Sequence, residues 1–528
     1  MKKKKIILGV IGGLVLGAGI GVGSYYLLHQ KESVVNNVTP AMVKSRYYLR
    51  GNSLENFDIA FLNLENNEKN MLYSPLSIKY ALEMLSEGSA GESKTEIDSI
   101  LGKYTSKKYT NSSNMSLANA LFVQENYKKN IKESYVNTLK GKYNADVIYD
   151  SFTSPDKLNS WVDEKTLGLI KNLESDVSDE DFILVNALAI DMEWKNVIQP
   201  LQEKEPYDKK HSTDGNDFLV EYKHESNGAS KNPTDTFADV NAVYGDGEKN
   251  IFDTLKFVND SVKSLTFAAV INNYDIVSDL GEENIRSNIT NKYNEFVANK
   301  TCGDAYYDPT ETVVNNYINE IKANYQDVAS STDFRYADTK DAKVFAKELK
   351  EYNGTTLEYI AIMPKEVSLK EYISTSTASS LNDTLKSLKD VSLNNSESGY
   401  ITKINGQVPL FKFDYELNLK EDLQKIGVNK VFDQNKADLS KLTSMQQAYI
   451  NKTSHKANIE FSNEGIKASA VTLVGGTGDI GCYFDYLYDV PIKTIDLTFN
   501  KPFMFIIRDA QSGEVWFTGT VYNPELQD

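Results

Sequence analysis

Phe182-Ile183-Leu184-Val185-Asn186-Ala187-Leu188-Ala189-Ile190 is a nearly continuous apolar run. A run of this length with no polar alternation suits a strand covered on both faces. Two further strands follow downstream, Tyr359 to Met363 and Phe503 to Ile507. Arg508 to Glu514, carrying Ser512-Gly513, reads as a turn into the strand Val515-Trp516-Phe517. Upstream, Asn52 to Gly102 reads as helices. Ser74-Pro75 predicts a helix start, an N-cap followed by proline at the first helical position. Ile78, Ala81, Leu82 and Leu85 keep helical spacing after it. Ser93 and Glu96 predict a second start as a capping box, with Ile97, Ile100 and Leu101 as the apolar face and Gly102 as the stop. Helices come first, strands and helices mix in the middle, and paired strands close the chain. That order predicts an α+β fold rather than a regular βαβ alternation.

The composition fits a globular chain. Of 528 residues, 41% are hydrophobic and 25% charged, and the formal net charge is −17. A polyanionic nucleic acid is not the expected partner of so acidic a chain. The two cysteines, Cys302 and Cys482, exclude a disulfide-stapled scaffold and any Cys-rich zinc module, and whether they pair is not legible. Four histidines leave little room for metal or histidine chemistry. No metal and no cofactor is expected.

The N-terminus stands apart. Lys2 to Lys5 precede an uncharged stretch from Ile6 to Leu28, 23 residues, long enough to cross a bilayer as a helix. The lysines stay on the cytoplasmic side, so the bulk of the chain is expected outside, on the extracellular face of the cell membrane. Cleavage near Gly17-Ala18-Gly19 or Gly21-Val22-Gly23 would instead make residues 1–30 a signal sequence and the protein secreted. Gly9, Gly13, Gly17 and Gly21 would line one helix face and leave room for self-association. A polar linker follows over residues 31–48.

Residues from about Ser226 to Asp333 differ in texture, rich in Asn, Asp, Ser and Gly. Helical spacing surfaces in patches such as Val313, Val314, Tyr317, Ile318 and Ile321. The stretch reads as an inserted subdomain. Gly476-Thr477-Gly478-Asp479-Ile480-Gly481 matches a dinucleotide fingerprint, but no helix follows it, so a nucleotide-binding enzyme is a remote alternative. His455 beside strand residues reads as a hydrogen-bonded core histidine, because no partner motif for catalysis accompanies it.

Taken in order, these blocks resemble the serpin family of serine protease inhibitors, in a bacterial-type, membrane-anchored form. Ser74-Pro75-Leu76-Ser77-Ile78, with Ala81-Leu82, Met84-Leu85, Gly88-Ser89 and Gly91, resembles helix B and its continuation. Asn159, Trp161-Val162, Thr166, Gly168 and Ile170 resemble helix F. Leu184-Val185-Asn186-Ala187 with Trp194 resembles the third strand of sheet A. Ala437-Asp438-Leu439-Ser440 and His455-Lys456-Ala457 resemble the approach to its fifth strand. Glu464-Gly465-Ile466-Lys467-Ala468-Ser469-Ala470-Val471-Thr472 resembles the reactive-loop hinge. Phe499, Lys501-Pro502-Phe503, Phe505, Gly519, Val521 and Pro524 resemble the closing strands.

The resemblance implies three β-sheets with about nine helices and an exposed reactive-centre loop, in a domain over residues 49–528 interrupted at about 226–333. It implies an inhibitor rather than an enzyme. A serine or cysteine protease cuts the loop, is trapped as an acyl complex, and the cut loop inserts into sheet A as a new strand. The resemblance puts Ser74, Ser77, Asn186 and His455 in a polar shutter beneath the opening of that sheet, and Trp194 where insertion starts. Counting from the hinge as in an ordinary member places the cut bond at Asp479–Ile480. Two features depart from the pattern. Asn463 stands where the family has Glu, and Ile466 where inhibitory members have Thr or Ser. The loop is also long, 34 positions from Gly465 to Phe499, which opens any bond from Thr477 to Val490. A non-inhibitory serpin-fold binding protein of the cell surface is the alternative.

Overall fold

The computed structural model describes residues 6–17, 46–196, 225–226, 229–230, 264–271, 276–299, 307–324, 329–330, 333–392, 399–461, 484 and 491–524. Its strands, in chain order, are β1 (Ile6–Gly17), β2 (Met71–Tyr73), β3 (Met115–Gln124), β4 (Asp146–Asp150), β5 (Phe182–Met192), β6 (Glu225–Ser226), β7 (Ala229–Ser230), β8 (Ser264–Ile271), β9 (Ala329–Ser330), β10 (Arg335–Asp338), β11 (Ala342–Glu348), β12 (Leu357–Pro364), β13 (Lys389–Asp390), β14 (Ile401–Pro409), β15 (Phe411–Glu416), β16 (Tyr449–Phe461), β17 (Ile492–Thr498), β18 (Phe503–Asp509) and β19 (Val515–Val521). They form a six-stranded central sheet in the order β15-β16-β1-β5-β3-β4 and a seven-stranded sheet, β13-β10-β11-β12-β18-β19-β2. A four-stranded sheet, β17-β14-β8-β9, and the β6-β7 pair complete the set.

The apolar run that opens the sequence analysis is β5, and alternation explains its burial. Phe182, Leu184, Leu188, Ile190 and Met192 enter the main core on one face. Ile183, Val185 and Ala187 meet Leu158, Trp161 and Val162 of α5 (Asp156–Lys165) on the other. Trp161 packs edge-on to Phe122 at 5.8 Å and donates to Asp146 Oδ2 at 2.9 Å. Asn159 ties the following loop to α5, its Oδ1 accepting from Leu173 and Glu174.

The helices preceding β3 are α1 (Ala60–Leu64), α2 (Pro75–Gly88) and α3 (Gly91–Leu101). Helix α2 starts as expected: Ser74 Oγ accepts from the Ser77 amide at 3.0 Å and Pro75 opens the first turn. Helix α3 starts at Gly91, with Ala90 as its N-cap, three residues before the expected cap Ser93. Ser93 and Glu96 do not cap it, because both serve other backbone. Ser93 Oγ accepts from the Asp438 amide at 2.9 Å, and Glu96 Oε2 accepts from the Asn429 and Lys430 amides at 2.7 Å. Helix α4 (Glu133–Tyr143) follows β3. Beneath these elements lies a buried charge cluster that no sequence pattern announces. Lys79 of α2 pairs with Asp58 at 2.7 Å and with Glu514 at 3.9 Å, all three side chains fully buried.

The N-terminal expectation is corrected by β1. Ile6 to Gly17 forms a strand here, not the membrane helix expected over 6–28, and no helix among the described residues is long and apolar enough to cross a membrane. Glycine and β-branched residues both have low helix propensity, and the β-branched Ile and Val suit an extended strand. Residues 18–45, which include the rest of the expected span and most of the linker, lie outside the described residues.

The stretch read as an insertion carries α6 (Ile276–Leu280), α7 (Glu282–Ala298) and α8 (Thr310–Asn324). Val313, Val314, Ile318 and Ile321 are buried, as their spacing predicts. Strand β8, from the same stretch, pairs antiparallel with β14, so this stretch also contributes to a sheet. Three more helices, α9 (Leu369–Thr375), α10 (Ala378–Lys386) and α11 (Leu419–Lys425), cover the later strands.

Candidate functional site

At the middle of the central sheet lies β1, between β16 and β5. β1 runs antiparallel to both β16 and β5, and its links to them cross a sequence gap of more than 160 residues on either side. At the middle of this slot, Gly12 faces His455 of β16 on one side and Asn186 of β5 on the other. Asn186 in turn faces Asn119 of β3. His455, Asn186 and Asn119 thus form one polar level across the sheet, with Gly12 between the first two.

Every side chain on that level is buried. The Ser74 amide donates to His455 Nε2 at 3.1 Å, which fixes the neutral imidazole with its proton on Nδ1. Asn186 donates to Asn119 Oδ1 at 2.7 Å, and Asn119 donates to the Tyr143 carbonyl at 2.9 Å. Nδ1 of His455, Oγ of Ser77 and Oδ1 of Asn186 have no hydrogen-bond partner among the described residues. The sequence analysis did not single out Asn119. Its signal is a lone amide between Ala118 and Ala120 in an apolar strand.

Burial pulls His455 down to about 3. The unfolded imidazole titrates near 6.5, so the unfolded chain takes up the proton first as pH falls. This contribution is fully present above pH 6.5 and is lost toward pH 3, at up to about 1.4 kcal/mol per pH unit. Burial raises Asp58, Glu83 and Glu514, and these act in the opposite sense, so a single pH curve does not isolate the histidine. The gap between wild type and His455→Gln does. Urea unfolding at pH 7, 5.5 and 4.5 should show that gap narrowing as pH falls; a constant gap would remove the histidine from the account.

Trp194 lies two residues past the end of β5, eight residues from Asn186 and so roughly 26 Å away if the chain stays extended. The structure therefore does not bring it together with the polar level. Its ring meets Tyr359 at 6.1 Å and Phe461 at 5.9 Å, with the Lys347 ammonium 5.9 Å from its centre. Phe461 ends β16 and stacks on Phe411 at 5.1 Å. This aromatic cluster surrounds the last residue of β16. The hinge itself, Glu464 to Thr472, lies outside the described residues, as do Asn463, Asp479, Ile480 and both cysteines.

One described residue of the loop is Phe484, and it sits on the inserted helices. Its ring meets Tyr293 at 5.0 Å and Phe296 at 5.7 Å on α7, and Tyr317 of α8 at 5.5 Å. The Tyr317 hydroxyl donates to the Phe484 carbonyl at 2.8 Å. The sequence analysis noted Tyr317 by its helical spacing but had no means to join it to Phe484.

Comparison with known proteins agrees with this architecture. A protein of Methanosarcina acetivorans described as an uncharacterized serpin-like protein is 22% identical over 90% of this chain and 88% of its own length. The native crystal structure of the thermophilic serpin tengpin superposes with a TM-score of 0.53 at 20% identity, covering 94% of this chain and 96% of that one. Human thyroxine-binding globulin, solved in complex with thyroxine, has a TM-score of 0.52 at 17% identity, covering 89% of this chain and 98% of its own. A family model described as "Serpin (serine protease inhibitor)" matches residues 58–216 and 331–524, two segments that flank most of the inserted stretch. The chain belongs to the serpin family.

Proposed function

We propose that this chain is a serpin-type protease inhibitor and not an enzyme. The target's nucleophile attacks the carbonyl of the reactive bond, the downstream amine leaves, and the freed hinge segment enters the central sheet between β5 and β16 with the acylated protease attached. The observation that carries this reading is the slot itself. A strand separated from both neighbours by long sequence gaps already occupies it, antiparallel to each, which is the polarity of a segment turning back from the end of β16. Asp479–Ile480 remains the candidate bond, and serine or cysteine proteases the targets. The working location is the extracellular face of a bacterial-type membrane, with residues 6–28 as the anchor when Ile6 to Gly17 is out of the sheet. Extracellular secretion follows instead if that segment is cleaved.

The test is a panel of serine and cysteine proteases mixed with the protein and run on a denaturing gel. At least one should give a covalent complex that survives denaturation, with a C-terminal fragment whose mass locates the cut. Turnover of the protein by every protease, with no such complex, would end the inhibitor reading. The filled slot favours one second reading. A sheet already six-stranded gains no strand from cleavage, which describes a non-inhibitory binding protein of the serpin fold.

A further inference from the structure

Residues 462–490 join β16 to β17, and within them Phe484 is the described residue. It lies 23 residues beyond Phe461 and 8 before Ile492. Three aromatic rings from two helices surround its ring, and a hydroxyl holds its carbonyl. These rings are themselves anchored. Tyr293 is 2% exposed and donates to the Asp308 carbonyl at 2.7 Å. Tyr317 and Phe484 pack on the cluster of Ile276, Val277, Ile285, Ile289, Val314 and Ile318 that holds the three helices together. The family match runs over residues 58–216 and 331–524, so α6 to α8 lie within the stretch it leaves unmatched.

We propose that α7 and α8 form an aromatic clamp that grips the loop at Phe484 and thereby selects which bond a protease can reach. A protease reads its substrate as an extended strand with residues free on both sides of the scissile bond. Both spans are tethered at their two ends, but Phe484 to Ile492 is only 8 positions whereas Phe461 to Phe484 is 23, long enough to offer an extended segment to a protease cleft. The reactive bond therefore lies before Phe484, which narrows the range Thr477 to Val490 to its first half and retains Asp479–Ile480. The clamp also sits on the side of the bond that does not insert, so cutting releases the hinge segment while the downstream piece stays on the helices. The functional consequence rests on the inhibitor reading; the docking does not.

Limited proteolysis of the full chain with a dilute broad-specificity protease, read by mass spectrometry, tests the docking without needing a target. Wild-type cuts should fall between Thr477 and Tyr483, with the bonds from Phe484 to Pro491 protected. Phe484→Ala should open those protected bonds about tenfold, the effect of losing one aromatic anchor. Phe484→Trp should retain the wild-type map, and Tyr317→Phe should fall between. Early wild-type cutting after Phe484, or an unchanged map in Phe484→Ala, would overturn the clamp. If Phe484→Ala does not fold, the wild-type and Phe484→Trp maps decide. A protected map with no covalent protease complex would leave the clamp standing and remove inhibition.

Discussion

A chain lacking residues 1–30 is expected to gain markedly in thermal stability when its loop is cut, while the full chain gains little. The reason is that one slot cannot hold two strands. β1 pairs with β16 from Ile7↔Glu460 to Gly17↔Tyr449, and with β5 from Ile6↔Met192 to Leu16↔Phe182. A cut loop must displace all of that pairing before it enters. Each strand hydrogen bond adds a net of about 0.5–1.5 kcal/mol, against an ordering cost of about 1–2 kcal/mol per residue. The margin between two competing strands is therefore small, whereas entry into an empty slot completes the sheet outright. Several kcal/mol of completed pairing and side-chain burial corresponds to a Tm increase on the order of 10 °C. Scanning calorimetry of cut and uncut protein, with and without residues 1–30, reads this directly. Equal shifts on cleavage in the two chains would show that β1 does not compete with the loop.

Lys79→Met is expected to cost about 3–5 kcal/mol at pH 7, the usual penalty for stranding a buried charge by removing its partner. Asp58 and Glu514 face that ammonium from the helical turn before α1 and from the start of the strand region at β19. The aromatic ring of Tyr104 lies 5.1 Å from it, and the Tyr73 hydroxyl donates to the Asp58 carbonyl at 2.5 Å. Burial already raises both carboxyls, with Lys79 pulling them back down. Removing the lysine raises them further. A folded-state pKa above the unfolded value gives stability that is present at low pH and lost as pH rises through it. The deficit of Lys79→Met relative to wild type should therefore shrink as pH falls from 7 toward 4. Urea denaturation across that range checks the sign. A deficit independent of pH would mean the methionine fails for reasons of packing rather than charge.

How much of this was legible in advance depends on the range of the interaction. β5, α2 and the closing strands were readable because their patterns are local: an apolar run, a Ser-Pro start, a turn between two strands. The site residues Ser74, Asn186 and His455 were named through family resemblance, not chemistry, since nothing in the local sequence says that a histidine at 455 accepts from an amide at 74. Asn119 was missed because a single amide in a strand carries no sign of what lies opposite. Ser93 and Glu96 matched a capping box and were used elsewhere, because the better acceptors of the Asp438, Asn429 and Lys430 amides came from distant segments.

The N-terminus shows the limit most clearly. The sequence by itself determined an apolar, uncharged segment long enough for a bilayer, and it determined the serpin-like order of blocks from Ser74 onward. It did not determine what would cover that segment. Hydrophobicity alone does not choose between a helix in lipid and a strand in a sheet, because the hydrophobic effect is non-directional. Only the tertiary structure placed Ile6 to Gly17 between β5 and β16, where both edges offered unpaired backbone donors and acceptors that must be satisfied. The docking of Phe484 onto α7 and α8 has the same origin: each ring was visible in the sequence, but their meeting was decided by the fold.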